Sequence, residues 1–190
     1  MPGHAALYQP GARGHDLDAR SFRRLTLEPS PAQRFAIRSG LAADLPRLVA
    51  IENGAFAGDR LSRRALARHL RSPTAALLVA TALPDRVVAY ALLLFRANAR
   101  RARLYSLAVD PQARGLGLAR SLVAAAEAEA LRRGAAALTL EVRVDNEAAI
   151  RLYEALGYRG LGRRSDYYED GADALRYEKP LTAARVGQNS

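Results

Sequence analysis

Three features of this 190-residue chain predict an α/β fold, a mixed sheet with helices on both faces. From residue 34 onward, segments with the two-residue period of a strand alternate with segments of helical period. Between residues 102 and 133 a strand, a loop with two glycines and an Ala-rich helix follow one another directly. A second strand–helix pair and two more strands then close the ordered part of the chain, with no internal repeat.

Taken in order, residues 1–33 mix Gly, Pro, Arg and Asp without sustained periodicity, and Pro29-Ser-Pro31 closes them like a linker. A flexible extension is expected there, a single domain over 34–181, and a disordered tail over 182–190. Arg34-Phe-Ala-Ile-Arg38 alternates as a first strand. Residues 42–52 and 62–71 read as helices, the second capped by Ser62. Residues 75–81 and 87–96 form a hairpin turning at Pro84-Asp85, and 102–110 is the fourth strand. The long helix 118–133 contains no Gly or Pro and stops at Gly134. Residues 137–144 are a fifth strand, Asn146 caps a helix that Gly157 ends, and two strands flank a loop at 167–173.

Composition narrows the chemistry. Hydrophobic residues at 49% and charged residues at 25% are ordinary for a globular protein large enough for a real core. No apolar run reaches the length of a membrane span and the N-terminus lacks a secretory apolar stretch, so the cytoplasm is the expected location. With no cysteine, disulfides, thiolate metal sites and a cysteine acyl-enzyme are all excluded. The charge of +10 is almost wholly arginine, Lys179 being the sole lysine, and it is spread along the chain. That distribution argues against a direct nucleic-acid footprint, while suiting an anionic ligand or transient ribosome contact. His4 and His15 lie in the extension and His69 sits beside Arg68 on a charged helix, so no histidine base and no metal site are expected.

Gln112-Ala-Arg-Gly115-Leu-Gly117 is the segment that carries chemistry. A glycine loop between a strand and a helix N-terminus presents unpaired N–H groups, and glycine lets a phosphate approach the backbone. The same turn also occurs as plain architecture. Its spacing fits neither a dinucleotide fingerprint nor a P-loop. It resembles instead the acyl-CoA loop, Gln/Arg-x-x-Gly-x-Gly/Ala, of the GNAT superfamily of N-acetyltransferases, entered through Leu107-Ala-Val-Asp-Pro111. Thr139-Leu-Glu-Val-Arg143, Asn146, Ala149-Ile-Arg-Leu-Tyr-Glu-Ala-Leu-Gly-Tyr158 and Tyr167-Tyr-Glu-Asp-Gly-Ala-Asp-Ala174 resemble the ribosomal-protein S18 alanine N-acetyltransferase branch of it, the RimI-like enzymes. The resemblance runs over roughly residues 35 to 181 and is densest from 104 to 175. It implies a mostly antiparallel sheet of six to seven strands, flanked by about four helices and splayed between strands four and five.

Two residues carry rival readings. Along the fifth strand Leu138, Leu140, Val142 and Val144 point to one face and Thr139, Glu141 and Arg143 to the other. A mid-strand carboxylate must be paired if buried, so Glu141 reads as a salt bridge to an arginine or as a general base. The resemblance implies the base, acting on the amine through water. Tyr153 shares a helical face with Ile150, which by itself means core packing. The resemblance places its phenol where it protonates the leaving thiolate.

By the same resemblance, acetyl-CoA is the co-substrate. Backbone groups of Leu107, Ala108 and Val109 would pair with the pantetheine arm, and Asn146, an N-cap in its own right, would also touch it. Gln112, Ala113, Arg114, Gly115, Leu116, Gly117, Leu118 and Ala119 would hold the pyrophosphate. Tyr167, Tyr168, Glu169, Asp170 and Asp173 would form the acceptor wall, with carboxylates that draw in a cationic amine. Read from composition alone, that group is equally a charged hairpin loop around a packed tyrosine.

An α-amine of pKa near 8 is substantially neutral at cytoplasmic pH, whereas a lysine amine is only about 0.1% neutral. A carboxylate working through water matches the former, hence a protein N-terminus as acceptor. A small-molecule amine, and a non-catalytic CoA-binding or interaction protein, stay open as alternatives, as does a homodimer. The extension and the pair Tyr105-Ser106 depart from the family pattern.

Overall fold

A computed structural model describes residues 4–5, 35–82, 84–97 and 99–182. Seven strands are β1 Phe35–Ser39, β2 Ala75–Ala82, β3 Arg86–Leu94, β4 Arg101–Val109, β5 Ala137–Arg143, β6 Arg159–Arg164 and β7 Ala174–Pro180. The helices are α1 Leu45–Ala55, α2 Arg63–His69, α3 Leu118–Arg132 and α4 Glu147–Ala155, with 3-10 turns at Ala42–Asp44 and Pro111–Ala113. The expected extension and tail lie outside the described residues, apart from His4, Ala5 and Thr182. His4–Ala5 is a short strand running parallel to β4 beside Ser106 and Leu107.

Along the path β1-β2-β3-β4-β5-β7-β6 each pairing is antiparallel except β4 with β5, and His4–Ala5 adds a second parallel pairing off that path. Each face carries its own core, as the periodicities require. On one face α3 buries Leu118, Leu122, Val123, Ala126 and Ala130, and with Tyr153 of α4 these cover Leu138, Leu140 and Val142. On the other, Leu48 and Ile51 of α1 and Leu66 of α2 pack on Leu77, Tyr90, Leu92 and Tyr105. β2 and β3 are consequently buried almost end to end, which explains their predominance of Ala, Val and Leu. β6, at the edge, is exposed throughout and carries three arginines, a charge pattern that discourages edge-to-edge pairing.

Two irregularities shape the middle of the sheet. Pairing of β3 with β4 jumps from Leu92–Ser106 to Leu93–Leu104, leaving Tyr105 as a β-bulge. β4 and β5 pair only from Arg101–Ala137 to Leu104–Leu140 and then separate, which is the splay expected between strands four and five.

The chain enters α1 through a fixed corner. Asp44 accepts two bonds from Arg38 of β1, at 2.7 and 3.0 Å, and one from the Leu41 amide at 2.7 Å. The Arg38 bonds hold its carboxyl below the usual carboxylate range. Its contribution is therefore complete above the unfolded-state pKa near 4 and is lost as pH falls through the lower folded value. Asp44→Asn is expected to cost about 1–3 kcal/mol at pH 7. In chemical unfolding at stepped pH, that deficit relative to the parent should shrink below pH ~4.

Candidate active site

The splay is where the marked residues converge. Beyond Leu104 the β5 side of β4 is no longer paired to β5, while its other side stays hydrogen-bonded to β3 through Leu107, Ala108 and Val109. All three are buried. The strand leads into the loop Gln112–Gly117, which the sequence does not by itself show to be anchored. Asp110, only 6% exposed, takes the Gln112 amide at 3.0 Å and ion-pairs with Arg47 of α1 and Arg86 of β3. These contacts hold its carboxyl below the usual range despite the desolvation that opposes them.

Gly115 and Gly117 have φ of 78° and 75°, a region costly for any other residue, so the loop needs glycine at both. A Cβ at either would meet nothing within 4 Å, and Leu116 between them is half exposed. Gly117 is the N-cap of α3 and supplies no side-chain cap. Among the described residues, the first-turn amides of Leu118 and Ala119 therefore have neither an intrahelical acceptor nor a side-chain cap. Ala113 and Leu118 are buried and fix the loop to the core, whereas Gln112 and the Arg114 side chain remain at the surface or partly so. This is an open cradle of N–H groups at a helix N-terminus, suited to a diphosphate.

Glu141 and Tyr153 belong to opposite faces of the sheet. Glu141, 8% exposed, lies on the α1/α2 side and accepts from Arg103 Nε at 2.7 Å. The salt-bridge reading of this carboxylate is thus correct as geometry, and it leaves the base reading open. Tyr153 is fully buried in the core on the α3/α4 side, edge-on to Tyr158 with ring centroids 5.6 Å apart. Its hydroxyl is enclosed and has no hydrogen-bond partner among the described residues. Burial, with a smaller effect from Tyr168, pushes this phenol well above its ordinary value, so it stays protonated. Tyr168 is an electrostatic neighbour of both Tyr153 and Glu141. Asn146 caps α4, its Oδ1 accepting from the Ala149 amide at 3.1 Å.

The loop between β6 and β7 differs from the wall of attracting carboxylates read from the sequence. Asp170 pairs with Arg143 at 2.9 Å, and Asp173 pairs with Arg163 and accepts from the Asp166 amide. Arg143 and that amide are the foremost causes that hold the two carboxyls below their usual range. Both therefore shape the loop, their charge already balanced. Glu169 is exposed, and its amide donates to Asp59 Oδ1 at 3.2 Å, tying this loop to the α1–α2 connection. Tyr168 is buried under Arg143 while Tyr167, edge-on to it, receives a bond from Arg103.

Sequence reasoning also missed Glu52. Fully buried on α1, it accepts from the Leu61 amide at 2.6 Å and from the Tyr90 hydroxyl, which also meets Ser106 at 3.0 Å. Burial raises its carboxyl, and it holds the α1–α2 connection over the β4 bulge. Only the unpaired place of a glutamate among apolar helix positions could have flagged it. A cavity of roughly 800 Å³ on the outer side of α2, lined by Arg64, Arg68 and Arg71, contains none of the marked residues. No helix among the described residues is long and apolar enough to cross a membrane, and no group of three or more acidic, His or Cys side chains there is placed to hold a metal ion.

Comparison with known proteins agrees with this arrangement. The Escherichia coli [ribosomal protein bS18]-alanine N-acetyltransferase is 46% identical over 84 residues, 43% of this chain and 57% of that protein. N-alpha-acetyltransferase 30 of Schizosaccharomyces pombe is 40% identical over 82 residues, 43% of this chain and 55% of that protein. The aligned part therefore spans little more than half the length of these curated relatives. The crystal structure of the Escherichia coli ribosomal-protein-S18-alanine N-acetyltransferase superposes with a TM-score of 0.70 at 33% identity, covering 82% of this chain and 98% of that one. The acetyltransferase (GNAT) family model matches residues 43–158, and with the splayed sheet and glycine loop in place the chain belongs to that family.

Proposed function

We propose that this chain transfers the acetyl group of acetyl-CoA directly to a primary amine, the preferred acceptor being the N-terminal α-amine of a protein. The observation that carries the reading is the splay followed by an amide cradle, together with an enclosed phenol in the α3/α4-side core that has no partner among the described residues. The donor set fits acetyl-CoA. Amides and glycines from Gln112 to Ala119 would take the diphosphate, with the Arg114 charge nearby. The edge of β4 at Leu107–Val109, which β5 leaves, would take the amide groups of the pantetheine arm as an added strand. That extended backbone fits this edge is plain from His4–Ala5, which lies along it.

In the reaction the neutral amine nitrogen attacks the thioester carbonyl, a C–N bond forms and the C–S bond breaks. Glu141 takes the proton released from the amine through water. Tyr153 donates its proton to the departing sulfur and regains one from solvent. Because the two groups lie on opposite faces of the sheet, donor and acceptor would approach from its two sides. Tyr167, Tyr168 and Glu169 line the acceptor side, with Asp170 and Asp173 keeping the loop in shape. The names of the relatives favour a protein N-terminus over a small amine, and a ribosomal-protein acceptor would bring the enzyme to nascent ribosomes in the cytoplasm.

Two measurements bear on the catalytic pair. Glu141→Gln should lower kcat by ~10² to 10⁴ while leaving the Kd for acetyl-CoA unchanged, and wild-type turnover would remove Glu141 as the base. Tyr153→Phe removes a buried hydroxyl that has no partner among the described residues, so its melting temperature should hold or rise even as turnover drops. A fall in both would return Tyr153 to a purely structural part.

The acceptor is settled by mass spectrometry on a panel of free Ala-, Ser- and Met-starting peptides plus N-blocked peptides with an internal lysine. Modification confined to free N-termini is expected. Intact peptides in the presence of bound acetyl-CoA would favour a small amine or a non-catalytic protein.

A further inference from the structure

Arg103 is a half-buried cation that neither the loop chemistry nor the base-and-acid pair accounts for. It stands on β4 at the last turns of pairing with β5, directly opposite Thr139. Its Nε donates to Glu141 Oε2 at 2.7 Å and its Nη2 to the Tyr167 hydroxyl. The guanidinium also lies 5.2 Å from the centroid of the Tyr105 ring, the residue of the β-bulge. One side chain thus touches the carboxylate of β5, the acceptor-side loop and the bulge of β4, across the point where the strands part.

The choice of arginine is informative. Arg176 of β7 sits directly opposite Glu141 in the antiparallel ladder, yet among the described residues it makes no ion pair with it. The pair is made instead across the parallel junction. A largely buried carboxylate needs a counter-charge somewhere, and either arginine would supply one. Only Arg103 also reaches Tyr167, and only a planar fork with several N–H groups serves two partners in fixed geometry. With one carboxylate oxygen held by Nε, the Glu141 carboxylate is fixed in orientation.

We propose that Arg103 is a positioning residue for acetyl transfer, orienting Glu141 and locking it in register with the acceptor wall through Tyr167. The proposal rests on Glu141 being the base. Arg103 does not reach the loop Gln112–Gly117, so its effect belongs to the amine half of the reaction and not to cofactor binding.

The test is steady-state kinetics on the full chain with a free-N-terminus peptide, together with acetyl-CoA binding by calorimetry. Arg103→Gln should lower kcat by about 10- to 100-fold with acetyl-CoA Kd within about 2-fold of the parent. Arg103→Lys keeps the charge but not the fork, and should recover part of the loss. Tyr167→Phe should raise the KM for the peptide more than it lowers kcat.

The decisive variant is the double Arg103→Gln/Glu141→Gln, which leaves no buried charge unpaired and so remains foldable. If Arg103 acts through Glu141, the double variant is no slower than Glu141→Gln alone. Multiplying losses, or wild-type kcat in Arg103→Gln, would overturn the proposal. Should Glu141→Gln be fully active while Arg103→Gln is slow, the base reading fails, and Arg103 acts directly instead of by positioning.

Discussion

The early separation of β4 from β5 is the constraint on which the rest of this structure depends. A parallel pair that continued past Leu104–Leu140 would close the sheet and bury Ser106 to Val109 against a neighbour. By ending there, the pair leaves a length of buried β4 backbone whose polar groups must find partners outside the ladder. The bulge at Tyr105 contributes, because an extra residue bends its strand and increases the local twist. The opening is therefore a demand for extended, hydrogen-bonding matter, which His4–Ala5 meets in part within this chain. A pantetheine arm, with its secondary amides, has the same chemistry. The direction of β4 then delivers the glycine loop and the α3 N-terminus to the end of the same slot.

The arginine content that looks like compositional bias is put to consistent structural use around this slot. Asp44 with Arg38, Asp110 with Arg47 and Arg86, Glu141 with Arg103, Asp170 with Arg143 and Asp173 with Arg163 each join elements or loop segments distant in sequence or fold a loop back on itself. Exposed pairs of this kind add little stability. Those whose carboxylate is nearly buried, Asp44, Asp110 and Glu141, are different, since an uncompensated charge there is costly. They act as position-fixing devices at the β1–α1 corner, the loop root and the splay. On the β6–β7 loop Asp170 and Asp173 are likewise paired and leave no surplus negative charge of their own.

Local signals in the sequence had local consequences and were readable. Alternation along β5 assigned Leu138, Leu140 and Val142 to the core and Glu141 to the other face, and Ser62 and Asn146 cap the helices they precede. Glycine at 115 and 117 follows from loop geometry that no other residue adopts cheaply. What could not be read depends on which distant residues meet. Among so many arginines, nothing in the chain singles out Arg103, 38 positions from Glu141, over Arg176 opposite it. Glu52 and Asp110 were passed over for the same reason, their partners lying on other strands or helices.

Tyr153 shows why a packing reading and a chemical reading of one residue need not compete. Its ring satisfies the helical pattern shared with Ile150 and fills the core beside Tyr158, as apolar periodicity demands. A phenylalanine would do that as well and would avoid enclosing a hydroxyl without a partner, an arrangement that costs about 1–3 kcal/mol. Packing alone therefore explains the ring and leaves the oxygen unexplained. The same burial that makes the oxygen costly keeps the phenol protonated, and it also makes the phenol a weaker acid. In the proposed reaction a departing thiolate in the gap between β4 and β5 would have to draw that proton from a rigid, enclosed donor.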